Sequence, residues 1–283
     1  MKWYEKQLSV YERPFDEAPQ QILDQVKARL TAMQSPEPVA SVVLIAHNEE
    51  SRLLSCLWSL SENVTSYPIE IFVVDNLSTD RTAQVAEALG VRCIREPKKG
   101  AGHARQCGLD HARGRYYLAI DSDSLYPPHY IDISIGALEH KDVVCCYAML
   151  SFLNAGEQSR LGIWFYELLR DCYLRLRNIK RPELCVRGSC MSFRVAEGRK
   201  AGGFRTNIRR GEDGSLALKL KKCGRLQLIT SRKARVITND PSITRGDSLM
   251  RRLAQQASRA SKNATTLFTT KRHYKDDASN LLK

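Results

Sequence analysis

The chain has 283 residues, enough for one large α/β domain with terminal additions. Hydrophobic residues make up 43% and charged residues 27%, and this balance argues against a disordered chain because it supplies the apolar side chains of a core. The net charge of +13 indicates an anionic partner such as nucleic acid, a membrane surface or a phosphorylated substrate. The excess is strongest in residues 231–283, with 12 Lys or Arg against 4 acids.

The cysteines and the apolar runs bear on the compartment. Nine cysteines without framework or CxxC spacing argue against a disulfide-stapled secreted domain and against a structural zinc site. The first residues have no apolar signal-peptide region, and no apolar run reaches the roughly 18 residues of a membrane-spanning helix. We therefore expect a cytoplasmic protein, free or peripheral at the inner face of the membrane.

The predicted elements begin with a helical N-terminal extension over residues 1–37. There Ile22, Val26 and Leu30 recur at helical spacing, and a proline-containing break follows. Short apolar runs then alternate with helical patterns, which is typical of a mostly parallel, Rossmann-like sheet flanked by helices. The strands of this α/β region are predicted at 40–45, 69–74, 91–94 and 116–120, with helices from 51, from about 80 and from 101.

After residue 124 the pattern is less regular. It predicts a strand within 141–153, a helix across 161–177, a helix that opens at Gly211-Glu212-Asp213, and strands at 225–230 and 234–238.

Polar clusters follow three of the predicted strands: His47-Asn48-Glu49, Asp75-Asn76 and Asp121-Ser122-Asp123. Ligands of open parallel sheets bind outside the carboxyl ends of the strands. Three clusters in three successive strand-helix units therefore indicate one shared site.

Asp121-Ser122-Asp123 can hold a hard cation such as Mg²⁺ or Mn²⁺, because such ions prefer oxygen ligands and keep open positions for phosphates. Two solvated loop aspartates are the alternative. Asp75 can accept hydrogen bonds from a nucleobase or ribose, or form an Asx turn with Asn76.

Other residues also allow two interpretations. Glu212-Asp213 can supply a general base or simply complement a helix dipole. His47 can stack on a base or lie in a polar turn. Residues 98–105, which end at Arg105, offer basic groups to phosphates near a helix N-terminus, but no P-loop, GxGxxG or GxSxG motif occurs in the expected context.

The order of these motifs resembles the family 2 glycosyltransferases, which have the GT-A fold. The resemblance covers residues 38–240, and we expect residues 241–283 to form a basic, helical C-terminal extension. The resemblance rests on an ordered series rather than on one motif: residues 42–50, 73–82, 100–109, 121–124, 187–194 with 202–204, and 211–213.

The resemblance implies a role for each candidate residue. Asp123 would be the main ligand of Mn²⁺ or Mg²⁺, with Asp121 in the ribose or metal region. Asp213 would be the catalytic base, with Glu212 as the fallback. Asp75 would bind the nucleobase with help from the first loop. The nucleotide-sugar-binding residues would be Ala46, His47, Glu49, Asp75, Arg105, Asp121 and Ser122.

The implied reaction moves a sugar from a UDP- or GDP-sugar to a hydroxyl of a saccharide or lipid-linked acceptor, with inversion, in polysaccharide or glycolipid biosynthesis. Processive members carry a Gln-x-x-Arg-Trp segment and membrane helices. Residues 256–260 lack the tryptophan, so we expect transfer of a single sugar.

Two other functions stay open. A nucleotidyltransferase acting on an NTP and a sugar phosphate would need a glycine-rich opening loop, which residues 41–50 lack. A nucleic-acid-binding protein would interleave basic and aromatic residues, yet the C-terminal region has only Phe268 and Tyr274 as aromatics. The charge excess instead suggests that residues 241–283 contact an anionic membrane.

Overall fold

The computed structural model of the protein describes residues 2–153 and 160–239. Strands form mainly where β-branched and aromatic residues occur in short runs between polar turns. In chain order they are β1 (Ala40–Ala46), β2 (Ile69–Asp75), β3 (Arg92–Arg95), β4 (Tyr116–Asp121), β5 (Ser124–Leu125), β6 (Val143–Ala148), β7 (Leu150–Phe152), β8 (Met191–Arg194), β9 (Arg225–Ile229) and β10 (Val236–Thr238).

Helices occupy most of the segments between these strands, and several bury an apolar stripe against the sheet or a neighbouring helix. They are α1 (Gln20–Met33), α2 (Glu50–Ser61), α3 (Thr82–Ala88), α4 (Ala101–His111), α5 (Tyr130–Glu139), α6 (Arg160–Lys180), α7 (Val195–Lys200) and α8 (Glu212–Leu220).

The central sheet joins seven of the described strands in the order β3-β2-β1-β4-β8-β6-β9. All neighbours are parallel except β8, which runs antiparallel to both β4 and β6. The second sheet is small and has the order β5-β10-β7. The predicted mostly parallel α/β sheet is therefore confirmed, and the first four predicted strands are correct to within one residue at each end.

The register of the sheet brings the polar clusters together. Ala46 pairs with Asp75 across β1 and β2, and Ile45 pairs with Asp121 across β1 and β4. Because these strands are parallel, their carboxyl ends lie side by side at one edge. The loops that follow β1, β2 and β4 consequently begin next to one another along the same edge of the sheet.

The N-terminal helix packs on this core. α1 buries Val26 and Leu30 completely, and it contacts α2 and β2. The predicted helix is thus confirmed, with its ends at Gln20 and Met33. The division of the chain at residues 37 and 240 stays a prediction, and residues 241–283, including the segment 256–260, lie outside the described residues.

Among residues 2–153 and 160–239, no helix has the length and apolarity required to cross a bilayer.

Close backbone packing at the start of the sheet gives a test of the fold. A Cβ on Gly114 would lie 2.6 Å from the Cα of Ala40, and backbone cannot move aside as a side chain can. We expect Gly114→Ala to lower the free energy of unfolding by about 1–3 kcal/mol, measured by urea denaturation.

Gly136→Ala is the matched control. Gly136 lies within α5, and a Cβ there meets no atom within 4 Å. This change should raise the free energy of unfolding by about 0.5–1 kcal/mol, because alanine loses less conformational entropy in a helix. Equal effects of the two substitutions would contradict the packing described for Gly114.

Candidate active site

A cleft of about 560 Å³ lies at the carboxyl ends of β1 and β4. Its walls come from the loops after these strands, the start of α4, residues 187–189 and the start of α8. Nine of the ten predicted site residues line it: Ala46, His47, Glu49, Arg105, Asp121, Ser122, Asp123, Glu212 and Asp213.

Asp75 is the predicted site residue that does not line the cleft. It is buried at the end of β2, where its Oδ1 accepts a hydrogen bond from the Ser78 amide at 3.2 Å. The next residue, Asn76, does line the cleft. Its carbonyl accepts a hydrogen bond of 2.7 Å from His47 Nδ1, and its side chain holds the amide of Gly100 at 2.7 Å. Asn76 therefore ties the loop after β1 to the start of α4.

Arg105 is the buried cation of the cleft. Its Nη2 donates to Asp121 Oδ1 at 2.6 Å, its Nε to Glu212 Oε1 at 3.2 Å, and its Nη1 to the carbonyl of Gly188 at 3.3 Å. Burial by itself would lower the pKa of Arg105, but Asp121 and Glu212 raise it above its ordinary value. The guanidinium thus stays charged and neutralises two carboxylates on different elements.

The remaining carboxylates of the cleft are less well compensated. Burial, followed by the charge of Asp121, raises the pKa of Asp123 to about 6. Burial also raises the pKa of Glu49 to about 7, although Arg52 lies 2.8 Å from its Oε2 and opposes the shift. Burial therefore makes the charged forms of Asp123 and Glu49 costly, and the nearby cations do not fully offset that cost.

The carboxylates of the cleft fit a divalent cation that keeps open coordination positions. Asp121 and Asp123 offer carboxylate oxygens in a region where negative charge is unfavourable, and a cation would relieve that cost. Within the described part of the chain, no three His, Cys, Asp or Glu residues form a closed metal site. A site with two carboxylates fits Mg²⁺ or Mn²⁺, whose other positions are filled by water and substrate phosphates.

Glu212 and Asp213 begin α8 after Gly211, whose φ of 91° is favourable only for glycine. Glu212 is buried and bound to Arg105. Asp213 accepts from the Gly188 amide at Oδ2 (2.8 Å) and from the Gly214 amide at Oδ1 (2.7 Å). Two backbone donors fix the Asp213 carboxylate at the wall of the cleft.

Sequence reasoning missed several basic residues of the cleft. Arg187, Arg209 and Arg210 line it together with Lys99. Arg187 opens the segment 187–194, and the arginine pair directly precedes Gly211-Glu212-Asp213, so adjacency to these motifs was the signal available. Together they add positive charge to the walls of the cleft, which suits an anionic ligand.

Comparison with known proteins identifies the family of this chain. The profile of glycosyl transferase family 2 matches residues 41–197, more than half of the sequence. The chain belongs to this family. EpsH of Bacillus subtilis (strain 168), a glycosyltransferase by name, is 30% identical over 126 residues. The match covers 42% of this family 2 chain and only 36% of EpsH, so this chain spans little more than a third of that relative.

Solved structures share the fold of this family 2 protein. The mannosyltransferase PcManGT from Pyrobaculum calidifontis, in complex with GDP-Man and Mn²⁺, has a TM-score of 0.56 at 19% identity, covering 95% of this chain and 77% of that one. TarS 1–349 from S. aureus, in complex with UDP-GlcNAc, has a TM-score of 0.55 at 19% identity, covering 75% and 60%. The fold is the GT-A fold, as the sequence predicted.

Removal of the Arg105 guanidinium should expose its importance for stability. Arg105→Met leaves Asp121 and Glu212 without their shared buried partner, so we expect the free energy of unfolding to fall by about 3–5 kcal/mol in urea denaturation.

Arg225→Met is the control, because the ion pair of Arg225 with Asp142 is exposed on both sides and should contribute little. A loss for Arg105→Met no larger than that of the control would show that Arg105 does not organise the cleft.

Proposed function

We propose that this family 2 protein transfers a sugar from a nucleotide-diphosphate sugar to an acceptor hydroxyl, with inversion at the anomeric carbon. The observation that carries the proposal is the single cleft in which Asp121-Ser122-Asp123 and Asp213 meet, joined through Arg105. This arrangement supplies a site for a charged leaving group and a carboxylate base in one cavity.

The donor is proposed to bind along the carboxyl ends of β1, β2 and β4. Ala46 ends β1, and His47 and Glu49 lie in the loop that follows it. Asp75 ends the adjacent strand β2 and pairs with Ala46. Lys99, Arg187, Arg209 and Arg210 are suited to the diphosphate, because each adds positive charge to the wall. The neighbouring folds bind GDP-Man and UDP-GlcNAc, which supports a GDP- or UDP-sugar.

A divalent cation is proposed to bind at Asp123 and Asp121. Bound there, Mn²⁺ or Mg²⁺ would neutralise the charge that develops on the nucleoside diphosphate as it leaves. Asp123 is the stronger candidate ligand, because one oxygen of Asp121 already accepts from Arg105. Arg105 in turn acts as a positioning residue, since its N–H groups serve Asp121, Glu212 and Gly188.

Asp213 is the proposed catalytic base. Its carboxylate would take the proton of the acceptor hydroxyl as that oxygen attacks the anomeric carbon, opposite to the departing diphosphate. The amides of Gly188 and Gly214 hold it in place. Glu212 is less available for this step because Arg105 binds it, so we assign it the task of holding Arg105.

The finer features of the proposal, which are the number of sugars transferred, the acceptor and the location, rest on the sequence. The absence of the tryptophan in residues 256–260 supports transfer of one sugar per encounter, to a saccharide or lipid-linked acceptor. A cytoplasmic location is likewise a proposal, and it rests on the thiol usage and on the nucleotide-sugar donor.

Asp213→Asn tests the base. Because the amide cannot accept the proton, kcat should fall by about 10²- to 10⁴-fold while the Kd of the donor, measured by calorimetry, stays within about twofold. Asp110→Asn, on the exposed side of α4, should change neither quantity. Loss of donor binding in Asp213→Asn, with a normal thermal unfolding curve, would show that Asp213 is not simply the base.

A thermal-shift panel tests the donor and the metal together. A UDP- or GDP-sugar should raise Tm only in the presence of Mn²⁺ or Mg²⁺, because the cation is proposed to bridge the diphosphate and Asp123. A ligand that binds the folded state but not the unfolded state stabilises the folded state. Asp123→Asn should abolish the metal-dependent part of the shift, whereas Asp110→Asn should keep it. A Tm that no nucleotide sugar changes, with or without metal, would refute the proposed donor site.

A further inference from the structure

The helix α6 presents an apolar face to solvent. Seven large hydrophobic side chains on this helix are 41–77% exposed, and they account for all but one of the exposed large hydrophobic residues in the described part of the chain. Their spacing of three, four and seven residues places them along one side of a helix. We define the α6 face as Leu161, Trp164, Phe165, Leu168, Leu169, Leu176 and Ile179.

The opposite side of α6 contacts the protein, and it combines the buried apolar Ile163 and Tyr166 with charged residues. Glu167 accepts from the Phe152 amide at 2.7 Å and from Ser151 Oγ at 3.0 Å. The buried Asp171 forms ion pairs with Arg170 and Arg235. A surface helix normally buries its apolar stripe and exposes its polar one. In α6, by contrast, a broad apolar stripe faces solvent and both acidic residues face the protein. Exposure of this apolar face to water is unfavourable, and a partner that covers it would remove that free-energy cost.

The charges of α6 indicate which partner. Its acidic residues, Glu167 and Asp171, are engaged with the protein interior. Among the α6 side chains that the structure describes, the exposed charged ones are Arg175 and Lys180, and both are basic. A face with Trp, Phe and Leu beside exposed cations and without exposed acids is suited to the interface of an anionic bilayer.

We propose that the α6 face docks on an anionic lipid surface. Two other occupants fit less well. A second copy of a chain with a net charge of +13 would bring like charges together. Residues 240–283 carry 9 Lys or Arg against 4 acids, so this segment is also of the same sign as Arg175 and Lys180. The docking surface thus differs from the basic C-terminal region suggested by the sequence.

Docking at α6 would bring the cleft close to lipid. The helix ends at Lys180, and after a short helical turn over Pro182–Leu184 the chain enters the cleft wall at Arg187 and Gly188. Gly188 holds the proposed base through its amide. This step rests on the proposed function: a lipid-linked acceptor would then meet the cleft from the membrane side.

Vesicle co-sedimentation of the full chain tests the docking, in the absence of donor and acceptor. The vesicles are phosphatidylcholine alone and an equimolar mixture with phosphatidylglycerol. We expect at least about tenfold stronger partition to the anionic vesicles, with weaker binding at high salt.

The variant W164Q/F165Q/L168Q should lose at least about tenfold of this partition, since three apolar anchors are replaced on exposed positions that tolerate polar residues. The control is Val64→Gln, an exposed apolar residue outside α6, which should bind like the wild type. Arg175→Gln with Lys180→Gln should reduce the preference for anionic over neutral vesicles.

Several outcomes would overturn the docking. If the wild type did not bind vesicles, the docking proposal would be wrong. If the triple variant bound as well as the wild type, the membrane contact would lie outside the α6 face, and the proposal would also be wrong. A wild-type dimer in light scattering that the triple variant converts to a monomer, without vesicle binding, would assign the face to a second copy. Vesicle binding without any nucleotide-sugar thermal shift would refute the proposed function and leave the docking intact.

Discussion

The guanidinium of Arg105 is the contact on which the candidate site depends. It joins Asp121 at the end of β4 to Glu212 at the start of α8, which lies 107 positions from Arg105 in sequence. It also binds the carbonyl of Gly188. A Cβ at position 188 would lie 2.1 Å from Arg105 Nη2, so glycine is required for this approach. Three segments that share no local structure are thereby fixed around one buried cation. If that cation were absent, the buried Glu212 and the half-buried Asp121 would lose their shared partner and repel each other.

The electrostatic balance of the cleft follows from this contact. Arg105 compensates Asp121 and Glu212, whereas burial leaves the pKa of Asp123 and Glu49 raised. Three further arginines and Lys99 line the same cleft as these carboxylates. A ligand that combines a phosphate group with a divalent cation satisfies both parts at once, because the cation meets the carboxylates and the phosphate oxygens meet the basic residues. Neither a simple anion nor a simple cation would do so.

Much of the sheet could be predicted because its strands are buried on both faces and therefore appear as continuous apolar runs, as in β1, β2 and β4. β8 was missed because its four residues acquire strand structure only by antiparallel pairing with β4 and β6, which are distant in sequence. The pairing of Arg105 with Glu212 was beyond sequence reasoning for the same reason. The α6 period was visible over 161–177, but period alone does not say which face a helix buries. The packing of Glu167 and Asp171 inward decides that question.

The C-terminal end of α6 is linked to α8, which forms one wall of the cleft. Glu183, in the turn after α6, accepts from Arg181 at 2.6 Å and from Lys221 at 2.9 Å. Lys221 directly follows α8, the helix that begins with Glu212 and Asp213. Of the two anchors of the proposed base, α8 is therefore connected to the C-terminal end of α6 through Lys221 and Glu183, and Gly188 follows that end along the chain. A surface that immobilises α6 would hold the proposed acceptor side of the cleft in a fixed orientation, while the proposed donor side at β1, β2 and β4 would stay open to a nucleotide sugar from solution.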